Sequence, residues 1–300
     1  TLVDAFLDIL IGECLIVSTA RAIHVVPQQM SILSAVAKYY VPVTIEDTID
    51  NLSVTLGARY YLREGHWSGI FQKIVRDNAI ASLFDGATAV NLNAISLQLR
   101  QLAEYHAKAD IRGSKEIVAR LESIFSVAAP LPAFNPNQLK LYNGGRNDAL
   151  QGLEPTLSGF KARPASDGKV AEEVMALTGE VIKKINDLYE RLSTLTARDR
   201  VPLDKSCEGF DLSKRYCRLH AAAACVQMWI HNMDGLGQFF AEGKWLVMVL
   251  ERLMREFEPD REMEAMPYQE EIAEELVRLY QENLLFSIIP FHLAGERRTC

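Results

Sequence analysis

Residues 169–195 read KVAEEVMALTGEVIKKINDLYERLSTL, and this stretch decides the fold class. Val170, Val174, Leu177, Val181, Ile185, Leu188, Leu192 and Leu195 recur at spacings of three and four. At 3.6 residues per turn those positions fall on one side of a helix. Glu172, Glu173, Lys183, Lys184 and Glu190 fall on the other. The segment therefore predicts an amphipathic helix of about seven turns.

The same period extends in both directions. Downstream, a helix is expected from Asp211, an N-cap residue type, to about Asn232. Another covers roughly Leu236–Phe257 and stops before Pro259, and a last one covers about Tyr268–Phe286 and stops before Pro290. Short connections between such helices favour an antiparallel bundle. Upstream, Val3, Phe6, Leu7, Leu10, Cys14 and Val17 mark a first helix. A second apolar segment runs from about Gln28 to Tyr61, with Pro42 expected to kink or interrupt it. Further helices are expected over Ile70–Ile80 and about Ala87–Ala109. Residues 126–168 carry Pro130, Pro132, Pro136, Gly144, Gly145, Pro155 and Pro164, which predicts an irregular connection with one or two short helices. Sustained alternation and strand-flanked Asn-Gly or Asp-Gly pairs are missing. The expected fold is all-α, with a helical domain over 1–110, a connection over 111–168 and a helical bundle over 169–300.

Composition narrows the function classes. The 300 residues are 49% hydrophobic and 24% charged, as in a globular protein. A net charge of −7 gives no global attraction to nucleic acid. No apolar run reaches the ~20 residues a membrane span needs. The chain opens Thr-Leu-Val-Asp within an apolar periodic pattern and has no signal-peptide pattern, so an upstream part is expected. Five cysteines without a CxxC pair fit a reduced, cytoplasmic compartment, with Cys217 and Cys225 packing on a helix. His220 and His231 are three turns apart on one predicted face, and a metal would need two more convergent ligands; no metal site is expected. Asn143-Gly144-Gly145-Arg146 lacks the Lys-Ser/Thr of a phosphate loop. Trp67, Trp229 and Trp245 read as core or interface residues.

One stretch carries chemistry. Residues 76–88 read RDNAIASLFDGAT. Upstream of it lie Ala37-Lys38 and Leu56-Gly57-Ala58-Arg59-Tyr60. In this order and spacing, residues 1–100 resemble the C-terminal helical domain of the acyl-CoA dehydrogenase family. That family has Arg-Asp, a short helix, then an aromatic residue, Glu, Gly and Thr. Tyr216-Cys217-Arg218-Leu219-His220 and Glu242-Gly243-Lys244-Trp245-Leu246 resemble the helical tail of its longer members. The resemblance implies α,β-dehydrogenation of an acyl thioester, carried by CoA or a carrier protein, with FAD as hydride acceptor. It implies Asp85 as the base that removes the α-proton, and Gly57, Gly86, Thr88 and Asn91 as cofactor-binding positions. From spacing alone, Asp85-Gly86 also reads as a helix-joining turn with Asp85 as the next N-cap.

This sequence departs from the family pattern at several of these places. Asp85 is one methylene shorter than the family's Glu, and a displacement of about 1 Å costs roughly 100-fold in rate unless the backbone compensates. Ser53 stands at the position of a Gln that contacts the adenylate half of FAD across a subunit boundary. Leu56 and Arg59 replace two glycines of the adjoining turn, and Ala87 takes the Thr position with Thr88 next. The family's N-terminal helical and middle β domains are not recognisable. The implied partners are therefore an acyl thioester and either a second copy, as a homo-oligomer, or a chain carrying the missing domains. The stripe Val3, Phe6, Leu7 and Leu10 is a candidate contact, or else closes its own bundle. A non-catalytic helical scaffold derived from the same family is the alternative reading.

Overall fold

The computed structural model describes residues 1–84, 86–107, 115–162, 168–198, 203–258 and 267–294. The described residues are helical, with no strand among them and one isolated bridge between Leu284 and His292. The helices are α1 (Leu2–Val25), α2 (Met30–Leu56), α3 (Ile70–Ala79), α4 (Thr88–His106), α5 (Lys115–Phe125) and α6 (Asp148–Gln151). They continue with α7 (Leu153–Lys161), α8 (Lys169–Arg198), α9 (Cys207–Asn232), α10 (Gln238–Glu242), α11 (Lys244–Arg255) and α12 (Gln269–Gln281).

The axis of the molecule is α9. Every residue from Leu219 to Ile230 is buried, so three full turns of this helix face protein on all sides. A helix apolar all round belongs inside. Its middle, Ala221-Ala222-Ala223-Ala224, is made of the smallest side chains that favour helix. These let α1, α2, α4, α5, α8 and α11 pack against it. The stripe of α8 turns inward as its period requires: Val174, Val181, Ile185 and Leu192 are buried against α4, α9 and α11. Buried apolar residues form one continuous cluster from Val3 to Ile288.

Several boundaries differ from expectation for local reasons. α2 runs through Pro42 without interruption. α9 starts a turn earlier than Asp211, because the Ser206 hydroxyl accepts the Gly209 N–H at 3.0 Å and caps it there. The helix expected over 236–257 breaks at Gly243, whose φ of +79° is left-handed. A Cβ at Gly243 would lie 2.9 Å from the Trp229 ring, so this corner needs both the positive φ and the missing side chain. Residues 115–161 hold α5, α6 and α7. Arg21 of α1 supports this region by donating to the carbonyls of Ser123, Ile124, Val127 and Ala129 as α5 ends.

The stripe Val3, Phe6, Leu7 and Leu10 is not a contact surface. All four side chains are buried in this chain's own core, and the Phe6 ring meets Phe286 edge-on at 6.1 Å. No helix among the described residues is long and apolar enough to cross a membrane.

Candidate functional site

Three of the residues singled out in the sequence meet at the turn leading into α4. Gly86 takes a φ of +101°, a conformation open to glycine at little cost. Its carbonyl accepts from the Asn91 amide at 2.8 Å, and the same amide reaches the Ala87 carbonyl at 3.2 Å. Thr88 donates its backbone N–H and its hydroxyl to the Ser82 carbonyl, at 3.0 and 3.3 Å. Lys38 of α2 fixes the approach by donating to the Ala81 carbonyl at 2.8 Å. Asp85 lies outside the described residues.

Gly57 lies apart from this turn. Ser31 bonds Gln98 while Lys38 bonds Ala81, so α2 and α4 run antiparallel. Gly57 is then 19 residues beyond Lys38, about 28 Å farther along α2 at 1.5 Å per residue. There it ends the helix with φ +59°, its N–H bonding back to Ser53 and Val54. The Ser53 hydroxyl is spent on the Asp50 carbonyl at 2.6 Å.

Residues 57–84 bridge that distance on the outside of the bundle. Tyr60 packs edge-on against Phe71 at 5.8 Å, and Gln72 donates to the Tyr60 carbonyl at 2.7 Å. Trp67 and Ser68 both sit in the left-handed region, which costs of order 1–3 kcal/mol for each such non-glycine residue. A Cβ at Gly69 would strike the Arg63 carbonyl oxygen at 2.4 Å, so the turn closes only with glycine there. α3 is amphipathic yet buries none of its residues. Trp67 and Leu83 are 72% exposed and Phe84 67%, and Ile70, Ile74 and Ile80 are exposed with them. Isolated exposed apolar residues are ordinary, and here six of them fall between positions 67 and 84.

These residues do not make a flavin pocket by themselves. The donor groups of Thr88 and Asn91 are spent on the turn, and Gly57 is remote.

A second polar centre, deep in the core, was not foreseen as a unit. Asn147 caps α6, its carbonyl oxygen accepting the Leu150 N–H. Its amide lies 3.0 Å from His220 Nδ1 and donates to the Tyr216 hydroxyl at 2.5 Å. An amide donor facing Nδ1 places the ring proton on Nε2. Burial pushes His220 down to about 4, so the ring is neutral at pH 7, and pushes the Tyr216 phenol up. Next to it, Asp148 exchanges two hydrogen bonds with Gln29 and meets Arg120 at 2.5 Å. Asn147, Asp148, Tyr216 and His220 are all buried, and each makes at least one hydrogen bond within the core.

His231 does not join His220. It pairs with Glu122 at 2.7 Å, bonds Gln227 and lies over Phe125. Among the described residues, no group of three or more His, Cys, Asp or Glu side chains is placed to hold a metal. Asn143-Gly144-Gly145-Arg146 is a structural turn on α4: the Asn143 side chain accepts the Gly145 N–H, and a Cβ at Gly145 would meet the Gln101 carbonyl oxygen at 2.2 Å. Cys14, Cys217 and Cys225 are buried thiols. Trp229 and Trp245 are buried, whereas Trp67 is exposed.

The chain matches no known family model, no curated protein and no solved structure.

Proposed function

We propose that this chain is the C-terminal helical part of a flavin-dependent dehydrogenase of acyl thioesters, acting on acyl-CoA or an acyl carrier protein in the cytoplasm. In this reading Asp85 is the base that takes the α-proton. FAD is held between this chain and either a second copy or a chain carrying the remaining domains. The observation that carries the reading is the set of exposed apolar residues over Trp67–Phe84, which leads in the chain to Asp85 and the turn bearing Gly86, Thr88 and Asn91. The distance of Gly57 from that turn also suits it. The resemblance assigns Gly57 to a cofactor reached across a subunit boundary, so the two positions serve different flavins. The family's helical character agrees with the all-α architecture.

One observation favours the alternative, a non-catalytic scaffold of the same ancestry. The donors of Thr88 and Asn91 are engaged within the turn rather than presented outward. The two readings part on Asp85, studied in the assembly isolated with its natural partners. As a catalytic base, Asp85→Asn abolishes acyl-thioester oxidation while helicity and flavin content stay at wild-type level, and Asp85→Glu retains turnover. An Asn variant that oxidises substrate at the wild-type rate removes Asp85 from the chemistry.

A further inference from the structure

Four helices meet at a cleft that is separate from the turn before α4. Asp8 of α1, Tyr39 and Asp47 of α2, Arg218 of α9, and Arg252 and Glu256 at the end of α11 line it. Its volume is about 100 Å³. That suits a solute of a few heavy atoms rather than a flavin or a long acyl chain.

The polar groups of this cleft fall into two sets. At the base, Asp8 is buried and satisfied by Arg252 at 2.9 Å and by the Thr48 hydroxyl at 2.8 Å. Nearer the mouth, Arg218 pairs with Glu256 and has no other ion pair among the described residues. Asp47 has no ion pair and the Tyr39 hydroxyl no hydrogen bond among the described residues, and the charges of Arg218, Glu256 and Asp47 all act on that hydroxyl. A phenol donor and a carboxylate acceptor thus remain unspent, beside the guanidinium of the Arg218–Glu256 pair, around a space of a few atoms. A simple anion placed there meets Asp47 and Glu256, and a simple cation meets Arg218 and Arg252. A molecule carrying both charges answers both.

We propose that this cleft binds a small zwitterion, an amino acid the size of glycine, alanine or serine. The carboxylate sits on Arg218 and the Tyr39 hydroxyl, a charge-assisted pairing for which the guanidinium fork is suited, and the ammonium sits on Asp47. This assignment is independent of the flavin reading.

The test is calorimetric titration and thermal unfolding of the full chain with glycine and with L-alanine. L-Leucine, acetate and methylammonium are the comparisons. Glycine or L-alanine should bind saturably and raise the unfolding temperature, while the three comparisons at the same concentration should not. Loss of one charged or phenolic hydrogen bond in Asp47→Asn or Tyr39→Phe should weaken binding about tenfold or more, with an unchanged circular dichroism spectrum. Should Tyr39→Phe disturb the fold, Asp47→Asn at the exposed rim decides alone. The proposal is overturned if neither amino acid binds saturably, if acetate and methylammonium act as strongly, or if Asp47→Asn binds like the wild type.

Discussion

Acidification should destabilise this fold through His220, and the size of the effect follows from its surroundings. The ring lies in the core against Asn147 and Tyr216, and burial holds its proton affinity down to about 4, against 6.5 for an ordinary histidine. The unfolded chain therefore binds a proton here that the folded chain refuses. Stability then rises with pH wherever the unfolded state carries the extra proton. The contribution is complete above pH 6.5 and is lost as pH falls toward about 4. Across about 2.5 pH units, at about 1.36 kcal/mol for each, the loss comes to about 3 kcal/mol. Urea unfolding between pH 7 and pH 4.5 should show this slope in the wild type. His220→Gln should flatten it while other titrations continue unchanged. Nuclear magnetic resonance of the imidazole gives the direct value. A midpoint between 6 and 7 for His220, or equal slopes in the two proteins, refutes the reasoning.

Asn147→Ala removes the cap of α6 and strands two buried partners, so chemical denaturation should show a loss of about 2–4 kcal/mol. Gly243→Ala puts a Cβ against the Trp229 ring at a left-handed backbone position, which should cost about 1–3 kcal/mol and alter tryptophan fluorescence. Phe6→Ala should cost about 3–5 kcal/mol in urea unfolding, because the ring is fully enclosed in the core. Trp67→Ser, at an exposed ring, should leave the unfolding free energy within about 0.5 kcal/mol of wild type while reducing binding of an apolar dye.

The helices were legible wherever one face is buried and the other wet. α8 shows this best, since its stripe of Val174, Val181, Ile185 and Leu192 is the buried face. Periodicity does not mark where a helix stops when the stop depends on tertiary contact. Gly243 breaks the 236–257 segment because Trp229 of another helix fills the space beside it. Ser206 begins α9 because its hydroxyl reaches the Gly209 N–H, a choice that Asp211, also a capping type, concealed. At the candidate site, the family resemblance singled out Gly86, Thr88 and Asn91, and hydrogen bonds place these three in one turn, which leaves their role toward a cofactor a proposal. Gly57 shows the limit of such reasoning, since its place depends on the length of α2 through Pro42. The Asn147–His220–Tyr216 centre was hidden for a different reason. Its members come from a segment rich in glycine and proline and from α9, more than 60 positions apart, and no local pattern signals that pairing.

The central claim is that the exposed apolar residues leading to the Gly86 turn border a flavin in the complete assembly. The most direct measurement is the flavin content of that assembly, read from its visible absorbance and from the cofactor released on denaturation. The account predicts a yellow protein that releases FAD in stoichiometric amount. A colourless assembly that takes up no added FAD contradicts it and leaves the scaffold reading in its place.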